Sequence, residues 1–289
     1  MVDKINQIAL EYRATLPTLN SFGIEQLMSL PSYYGWVECN YSHVGQPFFM
    51  FLGGNDDGVA LRFFWNGSYE RTSLKLWASF AKEASVIIDV GAHTGSYTLA
   101  ALNANPSAKV LSFEPNFMNF GRLNLNIRAN KHSTGQTYML GVGERDERQL
   151  FSIPSNLDYL TCGGVVGDLQ DRATITIDIV SLDSALGDVI ESRVGLVKLD
   201  TEGYEAHCLR GMKSILSTSQ PVIFFECINP ESSNDMQDIL SELGYHFYTI
   251  NDINGEILPA KTIVPALTGD GSPVMHLLNR VALPRNQVL

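Results

Sequence analysis

The segment Val86-Ile-Ile-Asp-Val-Gly-Ala-His-Thr-Gly-Ser-Tyr-Thr98 joins a short apolar strand to a helix through a turn that carries two glycines and follows an acid. Val86 to Val90 is a β-branched run of strand length, and residues 94–102 are helix-compatible up to a stop near Asn105 and Pro106. Gly91 and Gly95 permit backbone conformations closed to other residues and a close approach by a ligand. The helix start that follows offers unpaired N–H groups to an anionic or carboxylate group. His93 stands where a pyrophosphate-binding G-x-G-x-x-G turn has its second glycine, so the D-x-G-x-x-x-G pattern disfavours a dinucleotide. Asp89 ahead of the turn suits a cofactor with a cationic end, such as the amino-acid part and sulfonium of S-adenosylmethionine. A side chain at Gly91 is expected to fill the ligand's space without disturbing the sheet.

The next apolar strand, Lys109 to Phe113, ends in Glu114-Pro115. This sets a carboxylate about 20 residues beyond the glycine turn, the placement that meets a ribose diol. Pro115 stops the strand and Asn116 can cap a helix over residues 117–129. A third strand is predicted over 137–142, where Gly141-Val142-Gly143 offers backbone against which an adenine ring can lie. Alternating segments at 149–153 and 174–180 read as an inserted hairpin whose tip, 161–171, would lie mobile over the site. A short helix is expected at 182–190, and a strand at 194–199 ends in Asp200-Thr-Glu-Gly-Tyr-Glu205, with a helix running on to Leu216. A strand at 221–225 ends in Glu226, and a helix at 232–243 leads to strands at 245–250 and 274–281, the last entering antiparallel. Alternating strands and helices predict an α/β fold with a mainly parallel sheet, helices on both faces and right-handed crossovers. Asp89, Glu114, Asp200 and Glu226 should therefore gather along one rim.

Residues 1–80 have a different texture, and we read them as a cap packed beside a cofactor domain formed by 81–289. Ile5, Ile8, Ala9, Tyr12 and Leu16 have helical spacing up to Pro17, and 22–30 reads as a second helix with Ser21 as its cap. The runs 46–53 and 59–65 flank a Gly-Gly-Asn-Asp-Asp-Gly cluster and predict a hairpin; a turn at 66–70 then precedes a helix at 74–82.

A net charge of −11 argues against nucleic acid or an anionic membrane surface as the main partner, and favours a small molecule. The start of the chain has no cationic leader, and no run approaches the roughly 20 apolar residues of a membrane span, so a cytoplasmic location is expected. Cys39, Cys162, Cys208 and Cys227 lack metal or disulfide spacing and read as small reduced hydrophobes.

Taken in order and spacing, IIDVGAHTGSYT, SFEP, VKLDTEGYE and FFE resemble the FkbM family of S-adenosylmethionine-dependent methyltransferases, with NDDGVA and NGSYE resembling the segment that precedes them there. The resemblance spans about residues 55 to 250, and VKLDTEGYE is its most specific piece. It implies a class I methyltransferase: a Rossmann-like sheet of seven strands, one antiparallel, with S-adenosylmethionine as donor and O-methylation of a hydroxyl on a sugar or secondary metabolite. Asp89, Gly91 and Gly95 would hold the methionine end, with Glu114 on the ribose and Asp200 and Glu202 facing the transfer site. His93, Thr94, Pro115 and Gly141 complete the expected cofactor contacts, His93 standing where relatives often have Asn. Glu202, Glu226 and His93 are the candidate bases for the acceptor hydroxyl, and a divalent cation on Asp200 and Glu226 is the less favoured alternative. An NAD(P)-binding oxidoreductase and an inactive S-adenosylmethionine-binding protein are the competing readings.

Overall fold

Asp57 decides how the front of the chain folds. Its carboxylate accepts from the backbone N–H groups of Val59 (2.9 Å) and Ala60 (3.1 Å) and so starts a helix where the sequence predicted a strand. The computed structural model describes residues 1–41, 46–153, 164–167, 170, 173–186, 193–228, 230–287 and 289. In its front section α1 (Val2–Ala14) and α2 (Ile24–Ser29) precede β1 (Tyr33–Cys39), β2 (Phe48–Gly54), α3 (Gly58–Asn66) and α4 (Arg71–Ala81). The expected hairpin of 46–53 with 59–65 is thus corrected: β2 pairs antiparallel with β1, and 59–65 lies within α3. The run VALRFFW carries no period that separates helix from strand, because α3 is buried on nearly every side. Gly67, at φ +73°, ends it.

The remaining chain alternates strands and helices, as expected. In order it forms β3 (Val86–Val90), α5 (Ser96–Ala104), β4 (Lys109–Phe113), α6 (Phe117–Ala129), β5 (Gly135–Tyr138), β6 (Gly141–Val142), β7 (Glu147–Ile153), β8 (Val165–Val166) and β9 (Ala173–Val180). Then come α7 (Leu182–Leu186), β10 (Val194–Leu199), α8 (Glu205–Arg210), α9 (Lys213–Ser219), β11 (Val222–Glu226), α10 (Pro230–Glu242), β12 (His246–Ile250), β13 (Ile257–Ala260) and β14 (Asn279–Leu283). The main sheet has eight strands in the order β13-β12-β14-β11-β10-β3-β4-β5. β14 runs antiparallel between β11 and β12, which completes the seven-strand pattern expected; β13 is an eighth, antiparallel edge strand that the sequence reading did not contain.

Further boundaries differ: the last strand, expected at 274–281, forms as β14 at Asn279–Leu283, after a 3-10 turn at Met275–Leu277. The predicted strand 137–142 is split: β5 stops at Tyr138, whereas Gly141 and Val142 pair with β9 in a second sheet ordered β6-β9-β7-β8. The helix expected to run to Leu216 breaks at Gly211, where a side chain would come within 1.8 Å of the Gly143 carbonyl. The inserted hairpin forms as β7 and β9. Its expected tip over the site and the end of the predicted helix 182–190 lie largely outside the described residues.

Alternate strand residues feed two cores. Ile87, Val110, Leu196 and Phe224 face α4, α5 and the front section, where they join Phe48, Phe63, Trp65 and Trp77 in one cluster. Ile88, Val90, Leu111, Val197 and Phe225 face the other side, with Leu209, Leu216 and Leu240. Cys39, Cys208 and Cys227 are buried and free, while Cys162 is outside the described residues. No helix among the described residues is long and apolar enough to cross a membrane. Asp57→Ala is expected to lower the urea midpoint by the equivalent of about 0.5–2 kcal/mol, and Asp57→Asn, which keeps an accepting oxygen, by less.

Candidate active site

The glycine turn is built by contacts from the strands on either side of β3. The N–H groups of Gly91 and Ala92 both donate to the Phe113 carbonyl at the end of β4 (2.9 and 3.0 Å), and the Asp200 N–H donates to the Val90 carbonyl (3.0 Å). Gly91 adopts φ +75°, and a Cβ there would lie 1.7 Å from the Asp200 carbonyl oxygen. The expectation that a side chain at Gly91 merely fills ligand space is therefore corrected: the glycine is required by the approach of β10. Gly95, at φ +103°, opens α5, where a Cβ would meet Leu123 at 2.6 Å. His93 between them is left-handed, φ +50°, a conformation in which His and Asn are enriched among non-glycine residues. Thr94 is buried, and its carbonyl accepts from the Asn126 side chain (2.8 Å).

Glu114 faces this turn from the end of β4. Its two carboxylate oxygens accept from the backbone N–H groups of His93 and Asn116, each at 2.8 Å, so it shapes the loop as well as lining it. Burial pushes its pKa above the usual carboxylate range, against the pull of His93 and of these bonds. Beside it, partly buried Pro115 ends the strand, and the buried side-chain nitrogen of Asn116 has no hydrogen-bond partner among the described residues. Gly141 lies elsewhere, in β6 of the second sheet, packed against Ile177 and Ile179.

A buried lysine gathers the other acids. Lys198, 1% exposed in the middle of an apolar sheet, sends Nζ to Asp200 Oδ2 at 2.8 Å and lies 4.5 Å from the centre of the Tyr97 ring. Burial alone would lower the ammonium's pKa, but Asp200, Glu226 and Glu70 more than reverse it. Across the sheet its neighbour in register is Asp89, itself beside Ser112. Asp89 accepts from Thr98 Oγ1 at 2.6 Å, and burial raises its pKa to about 6. Glu226 is pushed well above its ordinary range by burial and then by Asp200, Glu70 and Glu202, with Lys198 opposing. Glu202 is exposed on the loop after β10, at φ +56°. That loop is tied by Glu205, whose Oε1 accepts from Thr201 N–H (2.9 Å), Thr201 Oγ1 (3.1 Å) and Gly203 N–H (3.1 Å).

The fold thus brings Asp89, Asp200 and Glu226 around Lys198, with Glu202 acting on Glu226, and sets Glu114 against the glycine turn, while Gly141 packs into the second sheet. Sequence reasoning missed Lys198, Glu205, Tyr97 and Glu70. The first two stand within VKLDTEGYE, and a lysine interrupting an apolar strand was the available signal. Glu70 closes the NGSYE motif, but nothing in that motif gave it a role; its carboxylate is held at the site by Tyr97, which donates its hydroxyl to Oε2 at 2.6 Å. Among the described residues no group of three or more His, Cys, Asp or Glu side chains forms a metal cage.

Two stability effects follow from this electrostatic arrangement. Lys198→Met should destabilise the chain by about 3–5 kcal/mol in chemical denaturation, the cost of leaving buried carboxylates without their cation. Asp89 keeps its proton to about pH 6 when folded, against 3.8 when unfolded. Its neutral form therefore contributes stability in full below about pH 4 and loses it as pH rises to about 6. Asp89→Asn should flatten the fall in melting temperature across that window.

Residues 89–247, more than half of the chain, match the family model described as the methyltransferase FkbM domain. Methyltransferase 1 of Beauveria bassiana is 27% identical over 145 residues, which cover 44% of this chain and 58% of that protein. Among solved structures, methyltransferase FkbM from Methylobacillus flagellatus KT is similar with TM-score 0.46 and 16% identity, over 77% of this chain and 52% of that one. Precorrin-6y C5,15-methyltransferase from Geobacter metallireducens GS-15 is similar with TM-score 0.42 and 12% identity, over 74% and 87%. The chain spans between half and three-fifths of the length of the curated relative and of the first of these structures. Its glycine turn, strand-end acids and VKLDTEGYE loop all fall within the matched segment, and the chain belongs to the FkbM methyltransferase family.

Proposed function

We propose that this chain is an S-adenosylmethionine-dependent methyltransferase that methylates a hydroxyl group of a small molecule, a sugar or secondary metabolite. Family membership supports methyl transfer. The observation that carries the cofactor reading is the meeting of the glycine turn, Glu114 and a cluster of acids served by one ammonium group at the carboxyl ends of adjacent strands.

The residues fit such a ligand. Glu114 retains lone pairs for a vicinal diol after accepting two backbone N–H groups, and the Asn116 side-chain nitrogen beside it is a donor with no partner among the described residues. Glu70, Asp89, Asp200 and Glu226 around the single Lys198 leave the cluster short of positive charge, which a ligand bearing an ammonium and a sulfonium would supply. Gly91, His93, Thr94 and Gly95 would shape the turn, with Pro115 fixing the end of β4; Gly141 would reach an adenine only through its backbone.

When bound, S-adenosylmethionine supplies an electrophilic methyl group. The protein's part is to align the acceptor oxygen with that carbon and the sulfur, a positioning effect worth roughly 7–11 kcal/mol. The acceptor must also lose a proton. Glu226 suits the task because its raised pKa makes it a stronger base than an ordinary carboxylate, with Glu202 beside it and His93 across the turn as the other candidates. The Lys198 ammonium already holds Asp200, so we assign activation to a carboxylate and not to a cation on Asp200 and Glu226.

Methyl transfer from labelled S-adenosylmethionine to a panel of hydroxylated sugars and natural products tests this function. Glu226→Gln should reduce the rate by roughly 10²–10⁴-fold and abolish its rise with pH through the Glu226 pKa, since the base acts only when ionised. An unchanged rate and pH profile in that variant would remove Glu226 from the chemistry.

A further inference from the structure

We propose that Glu70, which lies in the front section, is the carboxylate that receives the α-ammonium group of the cofactor's methionine part. This rests on reading the site as an S-adenosylmethionine site. The other acids at the rim are already engaged or covered, and the exposed Glu202 on the loop after β10 has a partner of its own. Asp89, 1% exposed, lies beneath the turn and accepts from Thr98. Both Glu114 oxygens accept backbone N–H groups, and Glu226 is 7% exposed. Asp200 is reachable, its side chain 25% exposed, but it holds Lys198 at 2.8 Å. Glu70 is partly exposed, and among the described residues it has no cation within ion-pair distance.

Its position is fixed from the glycine turn. Tyr97, the second residue of α5 and two beyond Gly95, donates its hydroxyl to Glu70 Oε2 at 2.6 Å. The Tyr97 carbonyl accepts from Trp77 Nε1 at 2.9 Å, its ring packs edge-on against Trp77, and Lys198 lies over that ring. Glu70 is thereby held beside the turn assigned to the methionine end. An ammonium group leaving water needs an anionic partner there, and Glu70 is a reachable carboxylate with no cation in ion-pair contact among the described residues. Burial raises its pKa, with Lys198 opposing and Asp252 and Asp200 reinforcing, and an incoming cation would favour its ionised form.

Calorimetry with two ligands separates this assignment from the cofactor reading. S-Adenosylhomocysteine keeps the aminobutyrate; 5′-methylthioadenosine has the same adenosine and sulfur without it. Wild-type protein should bind both. Glu70→Gln should weaken S-adenosylhomocysteine by at least about tenfold and leave 5′-methylthioadenosine unchanged, with Tyr97→Phe acting in the same direction by less. Glu114→Gln, acting on the ribose, should weaken both ligands. Equal effects of Glu70→Gln on the two ligands, or no effect on either, in a variant whose melting temperature shows it folded, would overturn the Glu70 assignment alone. Wild-type protein that binds neither ligand would overturn the cofactor reading and this inference with it.

Discussion

Lys198 places a positive charge near the end of an otherwise apolar, buried strand, where an unpaired ammonium would cost several kcal/mol. Its 2.8 Å contact with Asp200 offsets that cost, and the same contact anchors the side chain at the end of β10. From there the constraint spreads: the Asp200 carbonyl presses on Gly91, the Asp200 N–H holds the end of β3, and the loop that follows is drawn in by Glu205. At an effective dielectric constant near 20, charges about 4 Å apart interact by about 4 kcal/mol. One ammonium can therefore compensate only part of the charge on Glu70, Asp89, Asp200 and Glu226. Burial raises the pKa values of Glu70, Asp89 and Glu226, and neighbouring carboxylates add to the rise against the opposing pull of Lys198. In our reading of the function, that imbalance is what makes the site receptive to a cationic ligand.

The front section takes part in this arrangement structurally. Trp77 of α4 packs edge-on against both Tyr97 and Phe224, so one ring supports the start of α5 and the strand that ends in Glu226. Asp252, after β12, accepts from the Ser73 N–H at 2.8 Å and the Ser73 hydroxyl at 2.7 Å, which ties the start of α4 to the far side of the sheet. The outer edge of β2 is closed by side chains of α6, with Asn130 and Asn126 bonding the backbone of Phe49 and Phe51 and Arg122 donating to the Phe51 carbonyl. The segment that carries Glu70 is thus fixed to the sheet at several points.

What the sequence made legible follows from how local each determinant is. The β3 strand, its glycine turn and the Glu114 placement depend on neighbours in the chain and on parallel-sheet topology, so they could be read directly. The Asn116 cap, which accepts from Met118 N–H at 3.0 Å, was equally local. Residues 59–65 were misread because a fully buried helix has no polar face to set its period, and Asp57 was taken for a turn residue when it is a cap. The break after β5 was hidden because Gly141 belongs to a second sheet whose partner, β9, lies nearly forty residues on. The role of Glu70, the last residue of NGSYE, was hidden for a stronger reason: its carboxylate gains its place through Tyr97, which no spacing rule connects to it.

The central claim is that the strand ends around Lys198 and the glycine turn bind a sulfonium-bearing adenosyl cofactor in preference to a dinucleotide. Parallel calorimetric titrations of the full chain with S-adenosylmethionine and with NAD test it most directly. The account predicts saturable one-site binding of S-adenosylmethionine and no heat from NAD. Saturable binding of NAD with none of S-adenosylmethionine would contradict it.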